Sequence, residues 1–179
     1  MKQCIICGSS NLEHDFITHR AEEFGLRSVE FLNTPRSRCG DCGDEAIQIP
    51  RYGKVARQIR DRLCALKRVF YGDEFALLRR ELNLTAQELA RRIGVSPVTI
   101  SRWERDHVAV QQAADRVIRS WTLVALGYGW REINHLMANL PDDGIERVQI
   151  NLATGPDGEY WIETHHRFGG TEAAWVMCR

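Results

Sequence analysis

Four cysteines in two matched pairs constrain this 179-residue chain more than any other feature. Cys4-Ile5-Ile6-Cys7-Gly8 and Cys39-Gly40-Asp41-Cys42-Gly43 each set two thiols three positions apart, so both sulfurs can turn toward one point. Two such pairs complete the tetrahedral thiolate set that zinc prefers. The glycine after each second cysteine suits a positive φ, which lets backbone N–H groups turn back toward the sulfurs. With four protein ligands no position stays open for water or substrate, so the expectation is a structural Zn2+ and no enzymatic activity. The metal would supply folding free energy that a segment of about fifty residues with few large apolar groups lacks. Iron in the same cage, as in redox carriers, is the alternative. Such carriers pack aromatics around the knuckles, and this segment does not. With four thiols present, His14 and His19 read as surface residues, and Cys64 as a small core residue on the apolar side of a helix.

The balance of 24 basic and 24 acidic residues hides a segregation. Residues 1–50 sum to −3, residues 51–119 to +7 and residues 120–179 to −4. A basic block between acidic flanks points to a polyanion partner for the middle alone. No apolar run approaches about 18 residues, so no span crosses a membrane. Met1-Lys2-Gln3-Cys4 leads into polar sequence without the apolar stretch of a secretory signal. The expectation is a cytoplasmic protein with reduced thiols.

Between the cysteine pairs, Phe16-Ile17-Thr18 and Val29-Glu30-Phe31 read as strands. From Lys54 the period lengthens: Val55, Ile59, Leu63, Leu66 and Phe70 form one face of an amphipathic helix. Gly72-Asp73 ends it and opens a second helix to about Leu82. Val110 to about Leu126 is another, with Ala113, Val117, Trp121 and Val124 on one face, followed by a short helix Trp130–Leu140. Val148, Ile150 and Leu152 then alternate as a strand that Gly155-Pro156-Asp157-Gly158 turns into a hairpin with Glu159–Phe168, and Ala174–Met177 offers a third strand.

The middle carries the most specific punctuation. Thr85 and Glu88 form a capping box that starts a helix at Ala86. Leu89, Ala90 and Ile93 are its buried stripe, and Gly94 leaves it through a left-handed residue. Val95 plugs the turn, Ser96 caps the next helix, and Pro97 occupies the first turn, where a missing N–H costs nothing. Ile100 and Trp103 face inward. Two short helices joined this tightly form a helix-turn-helix.

Here the chain resembles a known family. L-T-A-Q-E-L-A-R-R-I-G-V-S-P-V-T-I-S-R-W-E-R is similar to the XRE-type helix-turn-helix. Joined to the C-x2-C-G pairs, the order resembles the MqsA-type antitoxins, with a YgiT-type zinc finger, over about residues 1–126. The resemblance implies a type II antitoxin that represses its own operon and neutralises a cognate toxin through the zinc module. A stand-alone XRE-family regulator without a toxin is the alternative. Asp106 departs from the glycine usual at that point, and the tail beyond about residue 127 departs from the family.

On the helix from Pro97 to Arg105 the outward positions are Val98, Thr99, Ser101, Arg102 and Arg105. Arg102 suits guanine O6 and N7, and Val98 and Thr99 suit a thymine methyl. The resemblance places the family's base readers at Val98 and Arg102. Gln87, Ser96, Ser101 and Arg105 suit phosphate, and Ser96 also has a purely capping reading. Glu104 reads as a structural partner for arginines of the preceding helix. One such helix reads few bases, so a homodimer on a palindromic double-stranded operator is expected. The organisation is α+β: a zinc-bound β-rich module (1–52), a linker helix (53–72), an all-helical DNA-binding domain (73–126) and a C-terminal extension with a β-hairpin (127–179).

Overall fold

The computed structural model describes residues 2–138 and 148–152. It is α+β, and the chain divides into two compact units. The first takes in the described residues of Met1–Ala21, Val29–Val55 and Arg147–Arg179; the second takes in those of Glu22–Ser28 and Ala56–Glu146.

The first unit is a small sheet with the cysteine pairs at one end. Strand β1 (Leu12–Arg20) follows the first pair and runs antiparallel to β2 (Val29–Cys39), pairing Leu12 with Cys39 and Arg20 with Glu30. Strand β2 ends on the third cysteine, and β3 (Glu45–Ile47) begins just after the fourth, antiparallel to β2. The strand expected at Val148 is β4 (Val148–Asn151). It lies parallel to β2, opposing Val29 with Val148 and Phe31 with Ile150. All four of these side chains are buried, as is Leu152, and together they supply the apolar surface the cysteine segment lacks. The expected return strand Glu159–Phe168 and the strand Ala174–Met177 lie outside the described residues.

The second unit is helical. Helix α1 (Tyr52–Ala65) enters it from Ala56 on, followed by α2 (Gly72–Glu81), α3 (Ala86–Ile93), α4 (Pro97–Glu104), α5 (Gln112–Leu126) and α6 (Trp130–Ala138). Helix α1 stops at Ala65 although its apolar period runs on to Phe70. The cause is Arg119 of α5, fully buried, which donates to the carbonyls of Leu63, Cys64, Leu66 and Arg68 and pairs with Asp115 one turn earlier. A guanidinium offers five donors in a rigid fork, and here they satisfy the orphan carbonyls of a helix end. Leu66 and Phe70 stay buried, in an irregular segment that bends at residues 67–68 instead of a helix. Cys64 packs as a core residue, and burial pushes its thiol up to about 12. Among the described residues no helix is long and apolar enough to cross a membrane.

Helix α5 buries Ala114, Ile118, Leu123 and Leu126. The stripe Ala113, Val117, Trp121 and Val124 lies on the more open side, with Val124 61% exposed. Arg92 stacks 6.0 Å above the Trp121 ring.

Candidate functional site

The four sulfurs of Cys4, Cys7, Cys39 and Cys42 lie within 4.8 Å of one another. Cys4 and Cys42 approach to 3.6 Å, as do Cys7 and Cys39. Tetrahedral zinc with Zn–S bonds of about 2.3 Å needs sulfurs about 3.8 Å apart, so the cluster has room for one ion and little else. Both pairs are built alike. Gly8 donates to the Cys4 carbonyl and Gly43 to that of Cys39, each glycine at φ +74°. The Ile6 N–H points at the Cys4 sulfur at 3.4 Å. The Cys42 and Asp41 N–H groups draw the Cys39 thiol down to about 7. Cys42 goes the other way, up to about 12: the Asp44 N–H favours its thiolate, but a hydrogen bond with Cys7 and desolvation outweigh it. Thiolates this close repel one another, and a cation bound among them would relieve that repulsion. Asp41 ties the pairs together by accepting from Ser9 Oγ at 2.5 Å and Asn11 Nδ2 at 2.9 Å. His14 stands apart from the cluster, bonded to Ser37 on the neighbouring strand.

The second site is the α3–turn–α4 segment, and its punctuation is as the sequence indicates. The Glu88 N–H donates to Thr85 Oγ1 and the Thr85 N–H to Glu88 Oε2, closing the capping box. Gly94 is left-handed at φ +76°. The Thr99 N–H donates to Ser96 Oγ at 3.1 Å, with Pro97 at the first position of α4. Ile100 and Trp103 are buried, and Trp103 packs edge-on against Phe75 with ring centroids 5.8 Å apart.

The far end of α4 is anchored by charge. Arg79 of α2 grips Glu104 through Nε at 2.5 Å and Nη2 at 3.1 Å. The partner of Glu104 thus comes from α2 and not from the arginines of α3. Asp106 takes the left-handed conformation at φ 54° that its family resemblance assigns to glycine. Its carboxylate supports that backbone by accepting from the Gly72 N–H at 2.6 Å and from Arg27, which also holds Asp73. Neither Asp106 nor Arg27 stands out in the sequence as part of this mount.

What remains facing outward is a short list. Gln87, Ser96, Val98, Arg102 and Arg105 are exposed, while Thr99 and Ser101 are half-buried. Among the described residues the side chains of Arg102 and Arg105 form no hydrogen bond or ion pair, whereas Arg57, Arg60, Arg68, Arg79, Arg80 and Arg119 of the basic block are engaged within the fold. The hydroxyls of Ser96 and Thr99 bond to each other at 2.9 Å. A groove of about 520 Å3 runs between α3 and α4, lined by Gln87, Glu88, Ala90, Arg91, Val95 and Pro97. Arg91, which no sequence motif singles out, is also exposed and sits one helical turn after Gln87 on the same face.

A helix-turn-helix family model matches residues 75–113. Residues 75–113 form an XRE-type helix-turn-helix domain. The match covers α3, α4 and most of α2 and supports a DNA-binding transcription regulator. It stops short of the cysteine pairs. No curated protein and no solved structure gives a significant match to the chain.

Proposed function

We propose that this chain is a sequence-specific transcriptional repressor whose α4 enters the major groove of duplex DNA. The observation that carries the reading is the two-faced α4: Ile100 and Trp103 pin its inner side while Val98, Arg102 and Arg105 stand free on the other. Arg102 reads a guanine edge, with Val98 and Thr99 nearer the entry of the helix. Gln87, Ser96, Ser101 and Arg105, joined by Arg91, hold phosphate and fix the register. The cluster of Cys4, Cys7, Cys39 and Cys42 holds a structural Zn2+, which organises the sheet beneath it and leaves no ligand position for chemistry. The open stripe Ala113, Val117, Trp121 and Val124 supports a homodimer, which a palindromic operator requires. An antitoxin role fits the same layout: the acidic N-terminal segment exposes Ile5, Ile6 and Phe16 to a basic partner and leaves the helix-turn-helix to DNA.

The test is a duplex selection with the full chain, followed by affinity against salt. Binding should weaken linearly in log–log form as salt rises, because neutralised phosphates release counterions. Arg102→Ala should cost about 1–3 kcal/mol at one operator position. A flat salt response or an unchanged Arg102→Ala affinity contradicts the assignment. Co-purification of a small basic protein encoded beside this chain tests the antitoxin role.

A further inference from the structure

The loop that joins β1 to β2 connects two strands of the sheet, yet residues 22–28 belong to the helical unit. Its neck is closed by the Ala21 N–H, which donates to the Val29 carbonyl at 3.1 Å, and both residues are fully buried. Between these ends Phe24, Leu26 and Ser28 are buried as well, more than a connection running over a surface needs. The polar contacts of the loop all go to the joint between α2 and α4. The Arg27 N–H donates to Asp73 Oδ2 at 2.8 Å and its Nε to the same oxygen at 3.2 Å, while Nη2 reaches Asp106. Ser28 Oγ donates to the buried Glu74. Asp73 and Glu74 stand in the first turn of α2, and Asp106 follows α4 and accepts the Gly72 N–H. One guanidinium fork therefore bridges two carboxylates that would otherwise repel across this joint.

Given that α4 enters a duplex, as proposed above, we infer that Arg27 is a positioning residue for DNA binding, and that through the loop 22–28 operator affinity depends on the order of the cysteine-bearing sheet. Arg27 is held against Asp73 and Asp106 only while the neck keeps the ends of the loop together. Strand β2 runs from Val29 at that neck to Cys39 in the sulfur cluster, so a sheet that loses its metal and frays also opens the neck. The loop is then a longer flexible span, and the entropy of ordering it opposes the Arg27 contacts. Helices α3 and α4 keep their own caps at Thr85 and Ser96. What loosens is the end of α4, where the Asp106 N–H bonds to the Trp103 carbonyl and the His107 N–H to that of Arg102. The recognition helix is then present but held less closely in its productive orientation.

The full chain is used to enrich duplexes from a random pool. Dissociation constants for the winner are read by fluorescence anisotropy over a salt series, with zinc bound and after its removal by a strong chelator. With zinc bound, Arg27→Ala should bind about fivefold more weakly, the low end of coupling between sites, because the Arg27 side chain is 73% exposed. Its salt slope should equal the parent's, whereas loss of a direct phosphate contact would lower the slope by about 0.9. Chelation should weaken the parent by at least the same factor, and in chelated protein the parent and Arg27→Ala should bind alike. Hydrogen exchange gives a readout without DNA: the Asp106 and His107 amides should exchange faster in Arg27→Ala and in the chelated parent, while those of α3 stay unchanged. Circular dichroism checks that Arg27→Ala keeps its helices. An unchanged affinity of Arg27→Ala, a fall in its salt slope, a chelated parent that binds as before, or an Arg27→Ala penalty of equal size with and without zinc would each overturn the coupling and leave the DNA-binding reading standing. A pool in which no sequence enriches would overturn both.

Discussion

Replacing Gly72 by alanine tests how rigidly α4 is mounted. A Cβ at this position would lie 2.2 Å from the Trp103 carbonyl oxygen, 2.7 Å from Asp106 Oδ1 and 2.9 Å from the Glu104 carbonyl carbon. Two of these are backbone atoms at the C-terminal end of α4, so no rotamer change relieves the contact. Overpacking of this kind costs about 1–3 kcal/mol. The Gly72 N–H also donates to the Asp106 carboxylate at 2.6 Å, and moving the two apart forfeits a charge-assisted bond worth about 1.5–3 kcal/mol. Against this, alanine gains up to about 1 kcal/mol of helix propensity, less at a helix's first position. Repulsion wins, with a net loss of about 2–4 kcal/mol, which for a domain of this size lowers the melting temperature by roughly 10–20 °C. Thermal and urea unfolding followed at 222 nm read the effect. Gly94→Ala is the control: its added Cβ meets nothing within 4 Å, and only the left-handed φ of +76° opposes it. That penalty is roughly 1–2 kcal/mol. A Gly72→Ala protein that melts at or above the parent, or above Gly94→Ala, would refute the mount as described.

Two further outcomes test other parts of the molecule. Cys42→Ser, or a strong chelator on the parent, should remove stoichiometric zinc by elemental analysis and melt the sheet while the helices of residues 72–126 keep their signal; full zinc retention with unchanged circular dichroism would contradict the four-thiolate site. Hydrogen bonds from the Thr85 backbone and hydroxyl hold the Glu88 carboxyl below its usual 4.5, so its capping box stabilises the fold above that pH and is lost as pH falls through the lower, folded value. Glu88→Gln should flatten the acid limb of the stability profile, and an identical acid limb would remove Glu88 from that role.

Much of both sites was legible in sequence because their signals are local. A capping box, a left-handed glycine and a proline at the first helical position each act within a few residues, and the Thr85–Glu88, Gly94 and Ser96–Pro97 punctuation is found where those rules put it. The cysteine pairs are likewise local, with only their meeting left to the fold. What was not legible depends on partners far along the chain. The period of α1 gave no hint that Arg119, more than fifty residues later, ends the helix at Ala65. Alternation marked β4 as a strand but could not select β2 as its neighbour, since a parallel pairing leaves no hairpin turn to read. Residues 22–28 join the helical unit through Arg27 and Ser28, the latter bonded to the buried Glu74, and no periodicity announces either contact.

The same long-range contacts change what the net charge of the middle segment means. Counted from sequence, residues 51–119 carry a formal +7, and all of it could face a polyanion. In the fold Arg68 neutralises buried Glu74, Arg79 grips Glu104, Arg119 pairs with Asp115, and Arg60 reaches Glu81. These arginines build the scaffold, and Arg79 fixes the C-terminal end of α4 through Glu104. A buried pair broken on one side leaves an uncompensated charge, so Arg68 and Arg119 behave as structural parts and not as a reserve of positive potential. Among the described residues the exposed cations of this segment include Arg91 on α3 and Arg102 and Arg105 on and just after α4, with others such as Lys54 and Arg116 on α1 and α5. On the proposed reading, affinity depends on exposed side chains and discrimination on how little α4 can move beneath them. Substitutions at Arg102 or Arg105 should therefore weaken DNA binding without melting the domain, and substitutions at Arg79 or Asp106 should disturb both together.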